Sequence, residues 1–250
     1  KKAGIKIDLG LCHQSGFELN KGFLMRQKNE RPYVSCKIAC SLDGGIALFN
    51  GESKWITSAE SRLEVHRLRA SSDAILTGIG TVLKDNPFMT VRLERKENNT
   101  KIPQPKRYII DSHLKMYGKE NLIVDKFQTT IFCNKVRKVP YLNSTVDLIE
   151  VPDKKGRVSL KKVMNYLGEQ ECNNLLVESG PKLITSLIKQ AFVDEFIFFI
   201  APKLLGSDRI NLTEFKGSLA NLGTIDLEVK KIESSGPDIK LIAAVKNKKK

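Results

Sequence analysis

The chain has 250 residues, of which 41% are hydrophobic, 28% charged and 7% aromatic. It is long enough for one large domain or two small ones, and its composition excludes disordered, collagen-like and membrane classes. The longest apolar run, residues 196–201, falls well short of the ~18 residues of a spanning helix and follows Asp194 and Glu195. A formal net charge of +14 raises nucleic acid or a phosphorylated partner as candidates. Part of that excess is a tail, Lys246 with Lys248, Lys249 and Lys250. Much of the rest is scattered lysine such as Lys161, Lys162, Lys230 and Lys231, with no aromatic residues interleaved as a stacking platform would require. A solvated basic surface is the preferred reading, and a basic nucleic-acid-binding protein is kept as the alternative.

Residues 1–31 are polar and mixed, with Gly4, Gly10 and Gly16 breaking any period, and read as a connecting segment with a short helix within residues 17–25. From Tyr33 the sequence YVSCKIACS reads as a strand that turns at Asp43-Gly44-Gly45. Thr57-x-x-Glu60 reads as a capping box opening a helix over residues 58–71. Residues 74–77 form a short buried strand, and a helical turn at 81–83 is stopped by Asn86-Pro87. Residues 94–106, rich in charge, Asn and Pro, read as a surface loop.

Further strands are expected at 107–110, 122–124, 129–133 and 146–151. Leu160, Val163, Met164 and Leu167 share one helix face. Next come strand 175–177, the turn Glu178-Ser179-Gly180-Pro181 and a helix carrying Leu183, Ile184, Leu187 and Ile188. Strand 196–200 and the pair 227–232 and 239–245 close the chain. Strands that alternate with helices and read as continuous apolar runs imply an α/β fold: a mostly parallel sheet flanked by helices on both faces, with antiparallel strands at its end.

Cys12, Cys36, Cys40, Cys133 and Cys172 form no CxxC pair, and three histidines complete a poor stock of metal ligands, so no metal is expected. Buried free thiols suit a reducing compartment. The chain shows no secretory signal and begins with Lys1, which reads as a fragment or a processed chain.

Ligands in such sheets bind beyond the carboxyl ends of the strands, which singles out four places: residues 41–45, Gly78-x-Gly80-Thr81 leading to Asp85, Asp111-Ser112, and Glu178 to Pro181. At the last, Gly180 lets an anion approach the main chain and Pro181 suits the first helical position, so the following amides form either an anion site or an ordinary strand-to-helix turn. Gly78-x-Gly80 is weaker, because Leu83 stands where a dinucleotide fingerprint has its third glycine. Trp55 is either packing or a ligand contact. Arg69 and Arg92 are candidate phosphate clamps, since a guanidinium fork matches phosphate oxygens. Glu178 ends a buried strand, where desolvation would raise its pKa into a useful acid/base range; the bland reading is a satisfied acceptor. There is no Walker A, GxSxG or HExxH motif. A phosphate-handling α/β domain with few ionisable residues suits hydride transfer, in which a cofactor carries the chemistry.

The blocks Ser41-Leu42-Asp43-Gly44, Gly51-Glu52-Ser53-Lys54-Trp55-Ile56-Thr57-Ser58, Leu68-Arg69-Ala70 and Ala74-Ile75-Leu76-Thr77 stand in order ahead of Thr81-Val82-Leu83-Lys84-Asp85-Asn86-Pro87. With Val177-Glu178-Ser179-Gly180-Pro181, Val193-Asp194-Glu195 and Ala201-Pro202-Lys203-Leu204-Leu205-Gly206-Ser207-Asp208, this order resembles the reductase domain of the bacterial bifunctional riboflavin biosynthesis family over about residues 20–245. The resemblance implies a dihydrofolate-reductase-like fold, a cytoplasmic homodimer, and NADPH-dependent reduction of 5-amino-6-(5-phosphoribosylamino)uracil to 5-amino-6-(5-phosphoribitylamino)uracil. A related reductase of the same fold acting on another substrate is the further alternative.

By motif position, the resemblance implies cofactor contacts at Ala39, Trp55, Thr81, Asp85 and Ser112. It assigns the cofactor's phosphates to the segment Gly180, Pro181, Lys182, Leu183, Ile184, Thr185 and Ser186. Ser53, Arg69, Met89, Arg92 and Glu178 would hold the substrate, the two arginines on its phosphate. Whether Glu178 or Asp43 supplies a proton stays open. The H-x-E and P-C-x-x-C blocks of the family's zinc deaminase do not occur. Residues 1–31 then resemble only that domain's end and the linker, 32–245 the reductase, and 246–250 a basic tail, with the deaminase domain missing from this chain.

Overall fold

A computed structural model describes residues 4, 6, 10–93, 102–141, 143–215 and 225–246. In chain order they form α1 (His13–Asn29), β1 (Tyr33–Ser41), β2 (Gly45–Leu48), α2 (Ala59–Ala70), β3 (Ala74–Gly78), α3 (Ile79–Asp85), β4 (Lys106–Ile110) and α4 (Asn121–Val124). There follow β5 (Thr129–Cys133), β6 (Val146–Glu150), α5 (Leu160–Glu169), β7 (Asn174–Val177), α6 (Pro181–Lys189), β8 (Glu195–Ala201), β9 (Arg209–Asn211), β10 (Leu227–Ser235) and β11 (Asp238–Val245).

Nine strands join in the order β10-β11-β8-β1-β7-β3-β4-β5-β6, and β2 pairs with β9 in a separate ribbon. All pairs from β8 to β6 are parallel, while β11 runs antiparallel to β8 and to β10. This is the expected mostly parallel sheet with antiparallel strands at one end.

Alternate side chains of each central strand enter opposite layers. Cys36, Leu76, Phe132 and Val177 pack with Val163, Met164 and Leu167 of α5 and Ile184 and Leu187 of α6. Ile75, Ile109, Ile131 and Leu176 pack with Val82 of α3, Leu122 and Ile123 of α4, and Leu68 of α2. Helices therefore cover both faces, which is why the strands read as continuous apolar runs.

Four local expectations change. Residues 13–29 form one long helix rather than a connector with a short helical stretch. Its Gly22 packs so closely on the start of β7 that a Cβ would lie 2.4 Å from Asn174 Oδ1 and 2.8 Å from the Asn173 carbonyl oxygen. The helix is tied down by Lys21 to Glu195 at 2.7 Å and Arg26 to Asn173 at 2.8 Å, and Arg31 just beyond it pairs with Asp194 at 2.7 Å.

Residues 122–124 are helical, not a strand. A run so short carries no readable period, and here Leu122 and Ile123 are both buried in the same layer. The helix over 59–70 is capped by Ser58, whose hydroxyl accepts from the Ser61 amide, so the capping box does not form at Thr57. The ribbon β2–β9 has no counterpart in the sequence reading. Residues 94–101 of the expected loop and 247–250 of the tail lie outside the described residues.

Four of the five cysteines are buried and free, and Cys12 is exposed, contrary to the expectation of burial throughout. Lys161, Lys162, Lys230 and Lys231 are all on the surface, as expected. Among the described residues, no helix is long and apolar enough to cross a membrane.

Candidate active site

Because the seven adjacent strands from β8 to β6 run the same way, their carboxyl ends meet at one edge of the sheet, and there two neighbours part. Strand β1 pairs with β7 only as far as Cys36 and Val177, but with β8 as far as Ser41 and Ala201. From Lys37 onward β1 has no strand partner on its β7 side, and Ala39 lies on this open stretch. The first residue past β7 is Glu178.

Glu178 is buried and meets two cationic groups through three nitrogens. Arg69 Nε donates to its Oε1 at 2.6 Å and Arg69 Nη2 to its Oε2 at 3.0 Å, while Lys37 Nζ stands 3.4 Å from Oε2. Arg69 also gives its Nη1 to the Thr90 carbonyl at 3.0 Å. Burial pushes the Glu178 carboxyl up, but the Arg69 guanidinium and then the Lys37 ammonium outweigh it and hold the group down at about 2. This reverses the expectation of a raised carboxyl: desolvation acts as anticipated, and two paired cations overcome it. Arg69 is held charged in turn, burial being more than offset by Glu178.

The turn that begins with Glu178 is cross-linked to the turn after β3. The Gly78 amide donates to Ser179 Oγ at 3.1 Å, and the Gly180 amide donates to Thr81 Oγ1 at 3.1 Å. Gly180 therefore spends its own amide on Thr81, and Pro181 has none. The first-turn amides of α6 that lack a helical partner are those of Lys182 and Leu183.

Beyond them the implied phosphate segment turns into structure. Ile184 is buried in the core, Leu183 packs against it, Thr185 Oγ1 accepts from the Glu214 amide at 2.9 Å, and Ser186 Oγ donates to the Lys182 carbonyl at 2.8 Å. A groove of about 490 Å³, lined by Pro181, Ile210, Asn211, Thr213, Glu214 and Phe215, opens beside the helix start.

Asp43 is fully engaged. Its Oδ1 accepts from Ser41 Oγ at 2.5 Å, its carboxylate accepts from the Leu205 and Gly206 amides at 2.9–3.2 Å, and Arg209 stands 3.4 Å away. The Ser41 hydroxyl, then the Leu205 amide, hold the carboxyl at about 2. Held ionised by these partners, Asp43 ties the loop after β8 to the end of β1.

Other expected residues are distributed unevenly. The Arg92 amide donates to His66 Nδ1 at 3.1 Å, while its exposed guanidinium lies 5.8 Å from the centre of the Phe88 ring, so Arg69 is part of the Glu178 cluster and Arg92 joins it only through its main chain and His66. Met89 is buried among Val82, Ile109 and Leu122, so its side chain serves the core and only its main chain could meet a ligand. Trp55 is 64% exposed, its ring 4.5 Å beneath the Arg62 guanidinium, which rules out the core-packing reading. Ser53 and Asp85 are half-buried. Ser112 Oγ accepts from the Val158 amide at 3.0 Å, and neighbouring Asp111 is a buried acceptor for the Lys115 and Met116 amides. Among the described residues, no three His, Cys, Asp or Glu side chains gather as a metal site.

A family model described as the RibD C-terminal domain matches residues 32–241. The chain belongs to that family.

The RibD relatives agree along the whole domain. "Riboflavin biosynthesis protein RibD" of Escherichia coli (strain K12) is 37% identical over 246 residues, 96% of this chain and 67% of that protein. A protein named "5-amino-6-(5-phosphoribosylamino)uracil reductase", from Buchnera aphidicola subsp. Acyrthosiphon pisum, is 33% identical over 204 residues, 79% of this chain and 98% of its own length. The solved structure of Acinetobacter baumannii RibD, form 1, superposes with a TM-score of 0.87 at 28% identity, covering 98% of this chain and 67% of that one. The chain thus spans about two thirds of the RibD proteins it matches, and its sheet is the dihydrofolate-reductase-like one expected.

Within this RibD-type site the sequence reading missed Lys37 and His66. Lys37 left a signal, a lone charge inside the apolar strand YVSCKIACS. His66 stands one helical turn before Arg69, a spacing that places both on one face of α2.

Proposed function

We propose that this chain catalyses the NADPH-dependent reduction of 5-amino-6-(5-phosphoribosylamino)uracil to its ribitylamino counterpart in riboflavin biosynthesis. The observation that carries this is the gap where β1 outlasts β7, with the buried Arg69–Glu178–Lys37 cluster at the end of β7 and the start of α6 following at Pro181. The Buchnera relative, matched over 98% of its length, carries the name of this reaction.

The chain's residues fit a dinucleotide. The unpartnered edge of β1 at Ala39 offers main-chain groups to a carboxamide, and the first-turn amides at Lys182 and Leu183 with the Thr81 hydroxyl face an anion. Trp55, Asp85 and Ser112 are the further cofactor contacts of this reading, with the segment from Gly180 to Ser186 acting through its main chain. When bound, NADPH supplies the hydride that C1 of the opened ribose receives.

Arg69 and Arg92 neutralise the substrate's phosphate, with Ser53 and the main chain at Met89 completing the pocket. Glu178 stays ionised and orients the sugar, acting as an acceptor and not as a donor. The N–H groups at the cluster belong to Arg69 and Lys37. We place the protein in the cytoplasm, where its buried thiols stay reduced, and as a homodimer, to which the exposed Val229 and Ile232 of the outermost strand β10 offer apolar surface. A zinc deaminase domain, separate from the residues described, would supply the substrate.

The test is a coupled assay in which an independent deaminase generates the substrate and loss of NADPH absorbance is followed. Substrate-dependent oxidation of NADPH by the purified chain is expected; NADPH binding without turnover, or salt-steep binding to arbitrary DNA with no NADPH binding, overturns the reading.

A further inference from the structure

The residues Thr90, Val91 and Arg92 belong to no helix or strand, yet side chains from elsewhere hold four of their main-chain polar groups. Arg69 Nη1 donates to the Thr90 carbonyl at 3.0 Å. The Gln104 side chain brackets Val91, its Oε1 accepting from the Val91 amide at 2.8 Å and its Nε2 donating to the Val91 carbonyl at 3.1 Å. The Arg92 amide donates to His66 Nδ1 at 3.1 Å. An irregular segment ordinarily leaves such groups to water. Here two of the four grips come from one face of α2, through His66 and Arg69, and Arg69 is itself locked onto Glu178.

Resting on the proposed reductase reading, we propose that His66 is a positioning residue: its neutral imidazole fixes the main chain at Arg92, and thereby aims the Arg92 guanidinium at the substrate's phosphate. Gln104 braces the same segment from the other side. The arrangement works only while Nδ1 carries a lone pair. Protonation puts hydrogen on both ring nitrogens, and the Arg92 amide then faces a donor. The groups around the ring keep it neutral. Burial, then Arg69 on its own helix and Arg92 across from it, lower its pKa below the usual 6.5, against the opposing pull of Glu178 and the Thr90 carbonyl.

The experiment compares the wild-type chain with His66→Ala, His66→Asn and Gln104→Ala between about pH 5.5 and pH 8. Asn presents an acceptor oxygen near the place of Nδ1 and does not titrate. His66→Ala should raise the substrate KM about five- to tenfold, as one lost hydrogen bond would. Its kcat and NADPH KM should stay within about twofold. His66→Asn should recover most of the loss and remove the His-dependent rise in KM that wild type shows on acidification. Gln104→Ala should act like His66→Ala without changing the pH profile.

Ribose 5-phosphate, titrated by calorimetry, reads the same phosphate grip without turnover. The inference is overturned if ribose 5-phosphate fails to bind, or if wild type and His66→Ala bind it equally. It is also overturned if His66→Asn is as impaired as His66→Ala, or if KM, kcat, NADPH affinity and Tm all deteriorate together. A wild-type chain that binds ribose 5-phosphate in this His66-dependent way but does not oxidise NADPH with substrate sinks the reductase reading and leaves the inference standing.

Discussion

The Arg69 guanidinium and the Glu178 carboxylate meet edge to edge, Nε to Oε1 at 2.6 Å and Nη2 to Oε2 at 3.0 Å, with both side chains almost sealed from solvent. Such a fork is geometrically specific. It joins α2 to the end of β7 and, through the third arm of Arg69 on the Thr90 carbonyl, to the segment carrying Arg92.

The pair makes the effect of Glu178→Gln predictable. The amide keeps the shape and one acceptor but leaves a buried guanidinium without its counter-charge, so kcat/KM should fall by about a hundredfold through misplacement of the arginines. Because the carboxylate is already ionised well below neutrality, the loss should be the same factor from about pH 5 to pH 9. Steady-state profiles of both proteins decide this. Disappearance of a limb of the wild-type profile in the variant would show that Glu178 titrates in the working range and acts as an acid or base.

The same pair has a signature in stability. Glu178 has a pKa of about 2 in the fold against 4.5 as its ordinary value. On acidification the unfolded chain takes up this proton first. The pair's contribution is therefore complete above about pH 4.5 and is lost as the pH falls toward 2; its size is on the order of 3 kcal/mol. Urea unfolding at a series of pH values should show the gap between wild type and Glu178→Gln narrowing across that window. A gap that stays constant down to pH 3 would contradict the depressed carboxyl.

What the sequence disclosed follows from which forces act locally. The strands with Cys36, Leu76, Phe132 and Val177 were legible because burial on both faces makes an apolar run. Helices α5 and α6 were legible because Met164 and Leu187 recur at helical spacing. The site was legible where strands give way to helices, at Gly78 before α3 and at Gly180 and Pro181 before α6, and where a charge stands at a strand end, at Glu178. What stayed hidden depends on partners distant in sequence. The depressed carboxyl of Glu178 needs Arg69, 109 residues away, and Asp43 becomes a loop anchor only once Leu205 and Gly206 arrive beside it. Helix α1 was underestimated because Gly16 reads as a break in the period yet lies inside the helix, which is held by partners distant in sequence such as Glu195 and Asn173.

The reciprocal bonds between the turns after β3 and β7 lead to a cofactor prediction. Thr81→Val removes the oxygen that accepts from the Gly180 amide, leaving that donor unpaired at the mouth of α6. NADPH affinity, followed by its fluorescence on titration, should weaken about tenfold, the equivalent of roughly 1.4 kcal/mol. Affinity for ribose 5-phosphate should be unchanged, since Arg69 and Arg92 do not touch Thr81. An unaltered NADPH titration would remove Thr81 and the α6 start from the cofactor site.

Two glycines of α1 should respond to alanine with opposite signs. Gly16 has no atom within 4 Å of the place a Cβ would take, so Gly16→Ala trades a helix breaker for the best helix former and should add up to about 1 kcal/mol. At Gly22 the methyl would press on Asn174 Oδ1, which can swing aside, and on the Asn173 carbonyl, which is main chain and cannot. The helix must then lift from the sheet edge, at a cost of about 1–3 kcal/mol, and with it the Lys21–Glu195 and Arg26–Asn173 contacts loosen. Urea melts of the two variants measure both effects. If Gly22→Ala proved as stabilising as Gly16→Ala, α1 would not be docked on the reductase domain in solution, and the domain would begin at β1.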